Sequence, residues 1–274
     1  LLNTGFRPGF AAGTDYPCNN GAALGGLLTY GQVAGGQMTY RGWIEAIALG
    51  RTGVSRNGHA EVLSLVGNGT ATPGDQVDLP VAGAVPVSVQ WTANQSLSGT
   101  LELVSNGVVV ASQAASVTAS APATLAATLS FPRSGWVVAR RMGPNGHVVH
   151  TAAVFVIVAG APIRASASDA EFYVQWMDNL LQMTSPGGAW NSLFPTSLGA
   201  AQARYQAARS LFQQIQAEAV AANPPTPPTS GLTIWPASAS PAVADGGPDG
   251  AVELGVKFRS DVAGTIIGIR FYKS

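Results

Sequence analysis

A single cysteine, Cys18, stands in 274 residues. One thiol excludes an intrachain disulfide and a cysteine cage for zinc. Charge is equally sparse. Only 10% of the residues are Asp, Glu, Lys or Arg, against about 25% in an average protein. Lys and Arg number 14, Asp and Glu also 14, and no run of basic residues forms. No nucleic-acid partner is expected, because phosphates need a basic face to neutralise them. Arg140-Arg141 is the densest basic spot, and it reads as the solvated face of a strand. No membrane span is expected either. The longest apolar candidate, Ala152 to Ala159, is of strand length, short of the ~18 residues a span needs. No glycine run has the spacing of a phosphate or dinucleotide loop, and no serine sits in a nucleophile elbow.

What remains is apolar and uncharged. Hydrophobic residues make up 46%, and Ser, Thr, Asn, Gln and Gly must cover the surface. That balance suits a bacterial protein that is secreted, periplasmic or on the cell surface. The patterning predicts an α+β chain, mostly β. Residues 1–67 read as short strands and one helix, "TYRGWIEAIALG". Thr39 caps it, Trp43, Ile44 and Ile47 share a face, and Gly50 ends it. Phe10, Ala11 and Ala12 read as the end of a buried strand, and "HAEVLSLVG" as a strand closing this part.

Residues 68–160 carry the period of two that marks an antiparallel sandwich. Val87, Val89 and Trp91 share one face; Leu101, Leu103, Leu129, Trp136 and Val138 complete the expected core. Asn106-Gly107 is a two-residue hairpin signal, and Pro144-Asn145-Gly146 a second turn. Residues 161–222 turn helical and should pack on the preceding part. Ser168 and Glu171 match a capping box. Phe172, Trp176, Leu180 and Met183 form one apolar stripe, and Tyr205, Ala208, Phe212 and Ile215 another. Both stripes are expected to be buried. A Pro-rich linker, 223–230, precedes a truncated β segment, 231–274, whose open edges invite self-association.

Candidate site residues are few. Asp15 follows Gly13-Thr14 where a strand would hand over to a loop. It can be a metal ligand or an ordinary turn aspartate bonding its own backbone. His59, His147 and His150 are the only histidines. Each reads as a solvent or hydrogen-bonding residue, and the spacing of His147 and His150 puts them on opposite faces of a strand. Asp245, Asp249 and Glu253 recur every four residues among glycines. Such a loop can hold calcium, and it also reads as a plain turn-rich connection. Asn68 and Asn94 match glycosylation sequons.

Four stretches together resemble the carbaryl-hydrolase-like branch of the PHP metallohydrolases (polymerase and histidinol phosphatase type). They are "LNTGFRPGFAAGTD", "WIEAIALGRTGVSRNG", "VVHTAAVFVIV" and the helix holding "WMDNLL". The resemblance covers residues 1 to about 222 and matches the C-terminal part of such proteins. It implies that 1–67 end a distorted β/α barrel, that 68–160 are a β-rich domain, and that the chain belongs to a longer protein. It also implies a hydrolase of esters, phosphoesters or carbamates acting on a small molecule through zinc or manganese. Asp15 then matches the last barrel aspartate, with Tyr16-Pro17 where many relatives carry a histidine. Arg51, Ser55 and Asn57, with His59 nearby, would line the barrel mouth. The segment "ELGVKFRSDVAGTIIGIRFYKS" resembles the opening of a domain of unknown function found in large secreted bacterial proteins. Two functions follow: the C-terminal part of a metal-dependent hydrolase, inactive alone, or a non-catalytic extracellular module for adhesion, assembly or carbohydrate contact.

Overall fold

The computed structural model describes residues 1–14, 18, 23–33, 35, 38–194 and 196–223. The order of elements is β1 (Leu28–Gly31), α1 (Tyr40–Ala48), β2 (Thr52–Ser55), β3 (Glu61–Gly67), β4 (Gln76–Leu79) and β5 (Gly83–Ala93). There follow β6 (Leu97–Ser105), β7 (Val108–Val117), β8 (Ala123–Phe131), β9 (Gly135–Gly143), β10 (Gly146–Thr151) and β11 (Val154–Val158). Two helices, α2 (Ala167–Thr184) and α3 (Leu198–Ala222), end the described part.

Strict alternation builds the smaller sheet, which runs β3–β5–β8 with both pairs antiparallel. Val85, Val87, Val89 and Trp91 of β5 point inward and are at most 2% exposed, while their neighbours face water. The larger sheet has eight strands. β6 lies along one side of β9, with β7 beyond it as the edge. On the other side of β9 run β10 and then β11. β10 is followed by β2 and β1, and β11 by β4 in parallel. The inner faces of the two sheets share one core, which takes in Trp91, Leu101, Leu103, Leu129 and Phe131. The expected core residues are all buried, Trp136 and Val138 on the opposite face of the larger sheet. β9 and β11 are therefore covered on both faces, which explains their unbroken apolar runs.

The turns follow their sequence signals. Asn106 (φ 50°) and Gly107 (φ 88°) are both left-handed, as a type I′ hairpin requires. In α1, Thr39 accepts from the Gly42 amide at 3.0 Å, and Gly50 takes φ 67° just past the end. Ile44 of this helix nevertheless faces solvent, and Ala46 is the residue it buries.

Several expectations are corrected. No boundary falls at residue 67. β3 pairs with β5 along its whole length, and β2 pairs with β10, so residues 1–67 share the sandwich's two sheets. Residues 1–223 form one compact unit. Phe10–Ala12 form no strand; threonine hydroxyls hold this segment instead. Thr52 Oγ1 donates to the Phe10 carbonyl at 2.7 Å, and Thr29 Oγ1 bonds both backbone groups of Ala12. The α2 cap is Ser166, which accepts from the Asp169 amide at 3.1 Å, two residues before the expected capping box. Asp169 does not reach back to the cap but takes the Asn3 amide at 2.8 Å. Asn3 also accepts from the Trp136 indole at 2.8 Å, so it ties the helix start to the sheet.

The seam between the two helices is also rotated from the expected one. Ala170, Val174, Phe212 and Ile215 pack together, with Tyr173 stacked on Phe212 at 4.8 Å. The α3 stripe is inward as its spacing predicts. Phe172 and Trp176 of α2 are 52% and 51% exposed. A stripe's period shows that it is amphipathic; it does not show which side meets the partner, and here the smaller residues let the helices approach. The linker from 224 on, the 231–274 segment with its expected self-association, and the Asp245–Glu253 loop lie outside the described residues.

Candidate functional site

Glu61 begins β3 on the same parity as Leu65, so its side chain enters the sandwich instead of leaving it. Its side chain is wholly buried. Burying a carboxylate without partners is prohibitively costly, and four donors meet this one. Trp91 Nε1 and Arg141 Nε donate to Oε2, each at 2.8 Å. Asn57 Nδ2 donates to Oε1 at 2.9 Å, and Arg141 Nη2 binds the same oxygen. The Arg141 guanidinium also lies 5.2 Å from the centre of the Trp91 ring. Arg141 is 4% exposed; the solvated-face reading fails because Val137, Ala139 and Arg141 share the core-facing parity of β9. Arg140 pairs on the other side with Glu102 at 2.6 Å.

The residues expected at a barrel mouth serve this cluster and its surroundings. Ser55 is buried and its hydroxyl accepts from the Asn57 amide at 3.0 Å. That bond orients Asn57 toward Glu61. Arg51 turns away and pairs with Asp75 at 3.3 Å. Burial pushes the Asp75 carboxyl up, but bonds from Thr72 and Arg51 outweigh it and hold the group below its usual value. His59 sits above the cluster, at a shallow depression of about 330 Å³ lined also by Glu61, Asn94 and Ala119. Its ring meets Tyr30 edge-on at 6.3 Å. The Tyr30 hydroxyl donates to the Gly58 carbonyl at 2.9 Å, and burial, with the Glu61 charge, raises its pKa. Asp15 lies outside the described residues.

His147 and His150 do not point apart. A register shift between His147 and Val149 interrupts the pairing of β10 with β9. The extra residue restores both rings to one side, where they lie 6.3 Å apart and edge-on. Phe10 packs against His150 at 5.3 Å. Among the described residues, no group of three or more His, Cys, Asp or Glu side chains could hold a metal ion. Every buried side-chain nitrogen and oxygen among them has a partner.

Burial chiefly, helped by His147 and Arg140 and opposed by a bond with the Thr151 backbone, holds His150 below its usual 6.5. The unfolded chain then binds the proton at a higher pH than the folded one. The His150 contribution is present above pH ~6.5 and is lost as pH falls through the lower folded value. His150→Phe, which keeps a ring against Phe10, should flatten the decline in urea midpoint between about pH 7 and 5. An unchanged decline would show that other groups carry it.

No protein-family model matches this chain, and no curated protein matches it in sequence. Among solved structures it is similar to the CARDB domain of the PF1109 protein from Pyrococcus furiosus. The solution structure of that domain is 15% identical and covers 38% of this chain and 99% of its own, with a TM-score of 0.26. The crystal structure, titled as a complex with di-metal ions, is also 15% identical and covers 36% of this chain and 86% of its own, again with a TM-score of 0.26. At such a score the likeness carries nothing about ligands, and the sandwich stands on its own strand pairing.

Proposed function

We propose that residues 1–223 act as a non-catalytic β-sandwich module of an extracellular bacterial protein, a scaffold for adhesion, assembly or carbohydrate contact. The observation that carries this reading is the saturation of Glu61. A general base or a metal ligand needs a free lone pair pointing at its target. Both oxygens of Glu61 are taken by four protein donors, and Arg141 is committed to the same carboxylate. The Glu61–Arg141 pair, the one deeply buried ion pair among the described residues, thus serves the fold. The sparse charge and the Ser-, Thr- and Asn-rich surface support an extracellular setting.

The metallohydrolase resemblance supplies the opposing arm of the test. The purified 274-residue chain is titrated with zinc or manganese and assayed on aryl esters and phosphoesters. We expect no stoichiometric metal uptake and no hydrolysis above buffer, because a catalytic metal needs about three protein ligands and an open position. Tight metal binding together with hydrolysis, both lost in Asp15→Ala, would overturn the module reading, and with it the expectation that a hydrolase segment of this extent is inactive alone.

A further inference from the structure

We propose that His147, His150 and Met142 form a copper(I) site on the outer face of the larger sheet. The inference goes beyond the module reading and does not depend on it. The strand register brings the three side chains together. Met142 of β9 lies opposite His147 of β10, and Arg140 lies opposite His150. Residues opposite each other in an antiparallel pair share a face, with Cβ atoms about 4.5–5.5 Å apart. Arg141 is buried in the core, so its neighbours Arg140 and Met142 point outward. Val148 is the extra residue of the bulge, and it puts His147 on the side that His150 occupies.

The spacing of the rings suits one shared ion. An ion bound at about 2 Å by one nitrogen of each ring sets the ring centres roughly 5–6.5 Å apart. Here they are 6.3 Å apart, at the wide end, where the two bonds run nearly opposite. Copper(I) accepts that open angle, because its filled d shell imposes no fixed geometry. Zinc prefers four ligands at tetrahedral angles, and manganese, magnesium and calcium prefer oxygen. The Met142 thioether, a soft ligand, favours copper(I) further. The surroundings do not oppose a cation. Arg140 stands beside His150, but Glu102 pairs with it at 2.6 Å. Burial chiefly holds His150 below its usual pKa, so its ring is neutral near pH 7, as ligation requires. Its bond with the Thr151 backbone is the support that ligating histidines commonly have at the other ring nitrogen. Phe10 covers one side of His150 at 5.3 Å, while His147 is exposed and leaves the ion a way in.

The test is titration of the full chain with copper(I), under argon with ascorbate, against bicinchoninate as competing chelator. Cys18 is an exposed thiol and would itself take copper(I), so every protein tested carries Cys18→Ser. We expect one copper(I) per chain. His147→Ala should abolish stoichiometric uptake. Met142→Leu should weaken it at least about tenfold, since loss of even a supporting partner of a metal ligand costs about 10–100-fold. His147 is exposed and Met142 half-buried, so both variants should keep the fold, which circular dichroism checks. Methyl NMR gives a readout that needs neither ligand variant. The chain has four methionines, Met38, Met142, Met177 and Met183. The Met142 methyl should shift as copper(I) is added, and the other three should not. Zinc at the same concentration should leave Met142 unmoved. No copper(I) uptake, uptake that survives both substitutions, or a shift at another methionine in place of Met142 would each overturn the proposal. Zinc that moves Met142 as copper(I) does would overturn the choice of ion and the site as stated. The module reading would stand in all these cases, since it falls only to metal binding with hydrolysis.

Discussion

Glu61→Ala should destabilise the fold by about 3–5 kcal/mol, the range found when one partner of a buried ion pair is removed. The loss is large because of what remains. Arg141 keeps its charge in a site where its side chain is 5% exposed. The Trp91 indole, on a residue wholly buried, loses its only acceptor, and an unpaired buried donor costs about 1–3 kcal/mol by itself. Asn57 is less affected, because it is half-buried and can turn to water. Glu61→Gln should also be costly, since its amide presents a donor where donors already converge. The informative comparison is Glu61→Leu combined with Arg141→Met. Replacing both charges by apolar groups of similar bulk is often neutral or stabilising. Here Trp91 Nε1 still lacks a partner, so the double variant should lie about 1–3 kcal/mol below wild type. Urea unfolding followed by tryptophan fluorescence reads these differences. A Glu61→Ala variant within about 1 kcal/mol of wild type would mean that water enters and solvates Arg141.

The signal for this pair was in the sequence. In a chain with so little charge, Glu61 occupies the same parity as Leu65, and Arg141 the same parity as Val137 and Ala139. Two opposite charges at inward positions of two strands predict each other. Treating Arg140-Arg141 as a solvated face overlooked that adjacent strand residues must face opposite ways. The sandwich core was legible for the same reason: a period of two over Val85–Trp91 leaves one consistent arrangement. The histidine pair was not legible, because a bulge changes parity by one residue and leaves no mark in composition. Nor was the exposure of Phe172 and Trp176. Spacing fixes an amphipathic face, whereas the facing helix decides which residues are covered, and Ala170 and Val174 permit the closer approach. The assignment of residues 1–67 to a separate domain failed through pairing partners distant in sequence. β2 meets β10 nearly a hundred positions later in the chain, and local pattern cannot register such a contact.

Gly74→Ala should cost about 2–5 kcal/mol, combining a left-handed backbone penalty of about 1–2 kcal/mol with overpacking of about 1–3 kcal/mol. Thr72-Pro73-Gly74-Asp75 is a turn closed by the Asp75 amide donating to the Thr72 carbonyl at 2.9 Å. Proline at its second position and a glycine of φ 89° at its third are the marks of type II. The strain is only part of the cost. A Cβ at position 74 would lie 2.3 Å from the Leu49 carbonyl oxygen, 3.0 Å from the Gly50 carbonyl carbon and 3.1 Å from the Arg51 nitrogen. All three are backbone atoms of the link between α1 and β2, so no side chain can swing aside to relieve the contact. Gly69→Ala separates the two effects. Gly69 has φ 80° and open space around its would-be Cβ, so that variant should lose only the conformational part, about 1–2 kcal/mol. The clash also has a local signature. Pushing the link away from the turn separates Arg51 from Asp75, which now meet at 3.3 Å. Asp75, held below its usual 3.8 chiefly against burial by Thr72 and Arg51, should then titrate at a higher pH. A carboxyl depressed in the folded state contributes stability above its unfolded pKa, and that stability is lost as pH falls through the folded value. Gly74→Ala should therefore weaken the acid-side loss of stability below about pH 4, and carboxyl NMR should report the upward shift at Asp75 directly. If Gly74→Ala costs no more than Gly69→Ala and leaves Asp75 unmoved, the link and the turn do not make this close approach in solution.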